Sequence, residues 1–355
     1  MHIEKKQYLC TRKIRKEVSG MNNRHLIYAL TIVGMVCSHR LKAQEVGLWY
    51  DTELQFDTHG KTNHVNLLYL SADYQASKQI KLSAATISIA KTRDESLIDD
   101  LQTFSNVEAD NMPLTLALAG VSWTPNQRHT LFAGIRNVNE DYFISPVTSL
   151  FTNSSCGIFP TIGCSLDIAN YPVASMGVHY AYTTPTFGYQ ASVYNGQGYD
   201  GWTGRGNVWR VTPHSDGLFV MTQADWTQGQ GQYFVGGCLH TGTADDPSAK
   251  EMLWAYTEQS LTERLSLIAD YSHAFGHGCR CTDFAGIGLQ YAQGKSTIGI
   301  FSDYARFGND EEWATELIYR HDLSDKVFLQ GAYHIVRHGN WQPVGLIRVS
   351  VRIDK

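Results

Sequence analysis

From Val46 onward the chain alternates apolar and polar residues in runs of about 9–12. That two-residue period belongs to a strand with different surroundings on its two faces. The first run sets Val46, Leu48, Tyr50, Leu54 and Phe56 against Trp49, Asp51, Glu53, Gln55 and Asp57. The last sets Ile347, Val349, Val351 and Ile353 against Arg348, Ser350 and Arg352. Fourteen further runs fall at about 64–74, 80–90, 114–123, 130–138, 174–183, 187–195, 216–226, 232–241, 252–259, 264–275, 282–292, 296–306, 312–321 and 326–336. The pattern predicts sixteen strands in one domain over residues 44–355, with no linker between them.

The joins between runs narrow the architecture. After even-numbered strands they are tight, as at Gln75–Gln79, Thr124–His129, Thr184–Thr186, Thr227–Gly231, Leu261–Arg264, Gln293–Lys295 and Leu323–Lys326. After odd-numbered strands they are often far longer, as at Lys91–Pro113, Asn139–Val173 and Gly196–Ser215. An even number of strands with alternating short and long joins predicts an all-β, antiparallel transmembrane β-barrel, its short turns periplasmic and its long loops outside. Closure is required in lipid, where an open sheet edge would leave backbone groups without partners. Aromatics lie on the apolar faces near the run ends (Tyr50, Tyr180, Tyr182, Tyr271, Tyr304, Trp313, Tyr319, Tyr333), where an interfacial girdle belongs. A soluble β-sandwich or solenoid would also alternate, but it does not account for the rhythm of the joins.

Composition agrees with a wall wetted by lipid on one side and water on the other. Charged residues make up 18% of the 355, aromatics 12%, and there are 19 tyrosines. A mean hydropathy of −0.26 excludes a bundle of transmembrane helices. Met21 opens a short basic stretch with Arg24 and His25, followed by an apolar run from Leu26 to Val36. Eleven residues are too few to span a bilayer, which needs about 20. They predict a signal peptide within residues 1–43, cleaved after Ala43, with Met21 as the true start. Nine of the 29 Lys/Arg and two of the 34 Asp/Glu fall in residues 1–43, leaving 20 against 32 and a net charge of −12. An acidic chain of this kind lacks the basic face that nucleic acid requires.

Export exposes cysteines to oxidising conditions, and Cys156, Cys164, Cys238, Cys279 and Cys281 remain beyond the leader. Cys156 and Cys164 share a loop and could close it, whereas Cys279 and Cys281 are too near in sequence to pair readily. An odd count leaves at least one unpaired within the chain.

Sixteen strands enclose a lumen too wide for wall side chains to fill, which predicts a water-filled channel for small polar solutes and a location in a bacterial outer membrane. The polar faces nominate Asp51, Glu53, Arg136, Asp303, Glu316, Arg320, Arg348 and Arg352 as pore-lining, with Asp225, Asp270 and His334 on the same side. Charges of both signs on a pore wall set up a transverse field that attracts polar solutes. The longest join, 139–173, is the third outer loop and the candidate constriction. Its Asp141, Tyr142, Phe143, Phe151 and Asn153 mix aromatic faces, which stack on sugar rings, with groups that bond to hydroxyls.

Several of these segments resemble the carbohydrate-selective porins of the OprB type. Asp100-Leu101-Gln102 with Ser105-Asn106-Val107-Glu108, then Asp141-Tyr142-Phe143, Phe151–Pro160, Tyr171-Pro172-Val173-Ala174 and Val193-Tyr194-Asn195-Gly196 recur there in this order. The resemblance covers most of residues 47–355. It implies a sixteen-stranded channel with an inward-folded third loop that passes small sugars by facilitated diffusion, and sixteen-stranded porins typically assemble as homotrimers in outer-membrane lipid. Two features depart from the family: the chain ends on Ile353-Asp354-Lys355 instead of a terminal aromatic, and its loops are short.

Other signals point nowhere further. Gly196-Gln197-Gly198-Tyr199-Asp200-Gly201 fits a dinucleotide pattern, but loop residues Trp202-Thr203-Gly204-Arg205-Gly206 follow where a helix is needed. His273, His277, Cys279 and Cys281 crowd one outer loop without a recognised zinc spacing, so no metal or cofactor is assigned. No local signature singles out a catalytic Ser or a carboxylate pair, and the chain is read as a non-enzyme. The rival functions are a non-conducting barrel for adhesion or surface reception and, behind it, an outer-membrane enzyme.

Overall fold

A computed structural model describes residues 45–354; the expected leader and its cleavage site lie outside the described residues. Sixteen strands follow one another: β1 (Glu45–Asp57), β2 (Thr62–Gln75), β3 (Ile80–Lys91), β4 (Met112–Asn126), β5 (His129–Arg136), β6 (Ser175–Thr183), β7 (Phe187–Asn195) and β8 (Leu218–Gln228). β9 (Gly231–His240), β10 (Lys250–Ser260), β11 (Leu265–Phe275), β12 (Asp283–Gln293), β13 (Ser296–Phe307), β14 (Asp310–Ser324), β15 (Val327–His338) and β16 (Asn340–Asp354) complete the set. Each pairs antiparallel with its neighbours in sequence, and β1 pairs with β16 to close the barrel. The expected strand count and order are met. The expected eighth run loses its start, because residues Pro213–Asp216 form a helical turn ahead of β8.

Alternation decides which side of the wall each residue occupies. Val46, Leu54 and Phe56 of β1 are exposed on the outside, as are Leu317 and Tyr319 of β14 and Tyr333 of β15. Asp51, Glu53 and Gln55 of β1 turn inward and are buried. An exposed belt of this composition is stable only against lipid.

The closing seam joins the two ends of the barrel through side chains as well as backbone. Register sets Glu53 opposite Arg348 and Trp49 opposite Arg352. The Arg348 guanidinium lies 2.6 Å from the Glu53 carboxylate, and the Arg352 guanidinium lies 3.9 Å from the centre of the Trp49 ring. A one-residue slip would turn both inward pairs toward lipid, so the pairs specify the register more than they add net stability.

The joins divide into a turn end and a loop end. Turn-end connections span only 76–79, 127–128, 184–186, 229–230, 261–264, 294–295 and 325–326. At the loop end the long connections are L2 (92–111), L3 (137–174) and L4 (196–217); L6 (276–282) is shorter.

Candidate functional site

The inner wall is polar over much of its surface, and two loops enter the space it encloses. L3 leaves β5 and is organised by short turns at Val138–Glu140, Thr148–Leu150, Ser154–Cys156 and Pro160–Gly163. Each turn spans only three or four residues, and Pro160 starts the last at the position where its missing N–H costs nothing.

The root of L3 is fixed by charge and hydroxyl contacts. Arg136 donates to the Asp141 carboxylate, and its guanidinium lies 4.7 Å over the Phe132 ring. Tyr69 of β2 donates to Glu140 at 3.1 Å, and Gln190 of β7 donates to the Asp141 carbonyl at 2.8 Å. The Tyr142 hydroxyl donates to the Met221 carbonyl at 3.1 Å and lies 2.9 Å from the Ser192 hydroxyl. Burial raises the Asp141 carboxyl to about 7 against the opposing pull of Arg136.

Phe143 turns the loop through the left-handed region, at φ 60°, which a non-glycine residue adopts only when its surroundings hold it. Here they are aromatic. Its ring centre lies 4.7 Å from Phe159 of the same loop and 5.3 Å from Trp254 of β10. Phe159 in turn meets Phe284 of β12 at 5.3 Å. This apolar half of the lumen is filled by the loop together with the wall.

The tip of L3 reaches the far wall. Glu316 of β14 accepts from the Thr152 N–H at 2.8 Å, the Thr152 hydroxyl at 2.8 Å and the Asn153 N–H at 3.0 Å. Asp303 of β13 accepts from the Asn153 side-chain amide at 3.1 Å and the Ser155 hydroxyl at 2.9 Å. Gln330 of β15 donates to the Leu150 carbonyl at 2.9 Å, and Phe151 packs 5.3 Å from Phe301. Gly299 of β13 lies beneath this tip; a Cβ there would sit 2.7 Å from the Leu150 side chain and 3.0 Å from Phe151. A chain that starts on β5 and binds β13–β15 crosses the barrel between nearly opposite walls.

L2 also folds inward, which the sequence reading did not anticipate. Ser105 donates to Glu53 at 2.7 Å, Gln102 to Asp303 at 3.0 Å, and Arg348 to the Asn106 side chain at 2.9 Å. The Asn106 N–H donates to the Thr152 carbonyl at 2.7 Å, joining the two loops. The Leu101 and Gln102 N–H groups share the Glu312 carboxylate. Nearby Asp100 accepts from the Phe104 N–H at 2.8 Å, and burial followed by the charge of Glu312 pushes its carboxyl up to about 7. The signal was present in the motif Asp100-Leu101-Gln102 with Ser105-Asn106, whose polar residues fit no strand.

Apart from Arg136, which is bound to Asp141 at the root of L3, the nominated wall residues separate into two groups. Glu53, Asp303 and Glu316 are 0%, 2% and 1% exposed, being capped by donors from L2 and L3, and Asp51 and Arg348 are buried with them. Arg320 and Arg352 keep 31% and 30% of their side-chain surface. They lie toward the turn end in a cation–aromatic row, Arg320 being 3.9 Å over Phe328 and Arg352 between Phe328 and Trp49. Arg352 also donates to Asp51 at 2.9 Å, and Arg320 to Asp322 at 2.8 Å. His273, from the crowded outer loop region, lies 2.8 Å from the Asp283 carboxylate.

No protein-family model and no curated protein matches the sequence. Solved structures do match in shape. OprB of Pseudomonas putida, in its high-pH structure, is 14% identical with a TM-score of 0.73, covering 92% of this chain and 97% of that one. A loop-deletion mutant of OmpT, an outer membrane protein of Vibrio cholerae, is 10% identical with a TM-score of 0.60, covering 88% and 100%. A mutant Rh. blastica porin is 9% identical with a TM-score of 0.60, covering 87% and 99%. Taken with the lipid-facing belt and the closed edge, these likenesses give the chain the porin fold, a closed sixteen-stranded antiparallel β-barrel.

Proposed function

We propose that the protein is a passive diffusion channel for small polar solutes, sugars foremost, narrowed inside the barrel by the third outer loop (139–173). The observation that supports this most strongly is the path of L3, which runs from Arg136 and Asp141 at one wall to Asp303 and Glu316 at the other. A loop held at both walls reduces a wide barrel to a size that discriminates among small solutes. L2 thickens the same barrier through Gln102, Ser105 and Asn106.

In this reading Glu53, Arg136, Asp303, Glu316 and Arg348 shape the passage by holding the loops, and Arg320 and Arg352 meet the solute. The row of Trp49, Arg352, Phe328 and Arg320 offers ring faces and guanidinium donors side by side, the combination that suits a sugar's apolar face and its hydroxyls. Contacts of this kind must stay weak and multiple, because tight binding would block exit. Asp141, Tyr142, Phe143, Phe151 and Asn153 act through the loop's shape. No catalytic step is assigned to any of them.

We further propose a homotrimer. An apolar trough of about 350 Å³ on the outer face of β13–β16, between Tyr319, Tyr333 and Ile347, supplies a surface for packing against another barrel. Native mass spectrometry in detergent should give three copies per particle; a monomer alone rejects the assembly.

Liposomes containing the purified protein should swell in small sugars and polyols. The aromatic packing around Phe143 and Phe159 favours one rival, an occluded barrel serving as a surface receptor. Impermeability to every small solute, with no single-channel conductance, would reject the channel.

A further inference from the structure

The returning limb of L3 meets L6 at one point. The Ser165 hydroxyl accepts from the Cys281 N–H at 3.1 Å and donates to the Cys281 carbonyl at 3.3 Å. Cys164 is the residue before Ser165, so this reciprocal pair brings two cysteines 117 positions apart in sequence to the same junction. We infer that Cys164 and Cys281 form a disulfide in the exported protein, fastening the inward-folded loop to the wall where β12 begins.

The other cysteines are placed elsewhere. Cys156 is buried and lines a small cavity together with Phe143, Thr148 and Tyr256. Cys238 lies on β9 with its sulfur 3.7 Å from that of Met252, and Cys279 bonds the Phe275 carbonyl at 3.4 Å. In the structure the Cys164 thiol reaches the Leu101 carbonyl at 3.7 Å and the Cys281 thiol the Asp283 carbonyl at 3.6 Å. Bridging them requires both side chains to turn from these weak acceptors toward each other. Burial raises the Cys281 thiol above its ordinary range, and the Cys164 sulfur is the next influence in the same direction, as proximity requires.

The exposures of the two residues set the order of events. Cys164 is partly exposed and Cys281 fully buried. The Cys164 thiolate attacks one sulfur of a disulfide-bearing oxidant and expels a thiolate, leaving a mixed disulfide on Cys164. The Cys281 thiolate then attacks the Cys164 sulfur and expels the second thiolate. Two protein thiols are oxidised to one disulfide, the oxidant's disulfide is reduced to two thiols, and the two protons pass to the released thiolates.

The test uses the full-length protein exported by a host with an oxidising periplasm and kept away from reductant. The sample is denatured in an alkylating agent, digested, and mapped by mass spectrometry. A linked peptide pair containing Cys164 and Cys281 is the expected result. Alkylation of both residues, or a bridge from either to another cysteine, overturns the inference. In a Cys281→Ser variant Cys164 should become fully alkylated without reductant; continued protection there also overturns it. Neither readout depends on whether the barrel conducts.

Discussion

Replacing Glu316 by Ala removes the acceptor that holds the tip of L3 to the far wall. Three donors converge on this carboxylate: the Thr152 N–H and hydroxyl at 2.8 Å each and the Asn153 N–H at 3.0 Å. A hydrogen bond to a charged group contributes about 1.5–3 kcal/mol net, and such bonds in one cluster do not add fully. The freed N–H groups can reach water once the tip lifts, so the local loss is about 3 kcal/mol rather than the full sum. At tenfold per 1.4 kcal/mol, the open population of the tip rises roughly a hundredfold. Hydrogen exchange by mass spectrometry reads this directly, because protection of the Thr152 and Asn153 amides tracks the local opening free energy. Glu316→Gln keeps one acceptor oxygen and loses the charge, so its loss is about half as large, near a tenfold fall in protection. Asp303 still grips Asn153 and Ser155, so a variant lacking both acids should lose more protection than the two single variants predict together. Barrel amides in β14 should be unaffected and serve as the internal reference. Unchanged exchange at residues 152–153 would refute the tether.

Arg352→Ala with Arg320→Ala should shift the reversal potential in a salt gradient toward cations; no shift would remove these residues from the solute path. Gly299→Leu should drive the Leu150–Phe151 tip off β13, seen as protease cleavage within 148–156 that the wild type resists. For Asp100, a carboxyl held near 7 in the fold and roughly 4 in the unfolded chain makes protonation favourable to the folded loop. Its stabilisation is complete below pH 4 and is lost as pH rises through 7, so intrinsic-rate-corrected exchange at Leu101–Phe104 should quicken over that range. Asp100→Asn should flatten the profile. Leu317→Arg on the lipid face should cost about 2–4 kcal/mol if it lies near the bilayer midplane, measured by reversible unfolding from lipid vesicles. A cost near zero there would contradict the assignment of faces.

Likeness in shape at 14% identity or less is expected when the physics fixes the wall and leaves its residues free. Any alternating sequence of the right period and turn spacing can build such a barrel, so most positions are constrained in class but not in identity.

The order, number and facing of the strands were legible in the sequence because they follow from local rules. A period of two assigns each side chain to lipid or lumen, and turn spacing sets the connectivity. On those grounds the sequence alone sets Glu53, Glu316, Arg348 and Arg352 on the inner face. What surrounds them was not legible. That Glu53 meets Arg348 depends on which strand closes the ring, and that Glu316 holds Thr152 depends on a loop rooted nine strands earlier. The inward fold of L2 was missed for the same reason: Gln102, Ser105 and Asn106 have no periodicity, and their partners are wall residues distant in the chain. Periodicity reports the two media on either side of a strand, whereas the contents of the lumen are set by contacts that exist only once the barrel has closed.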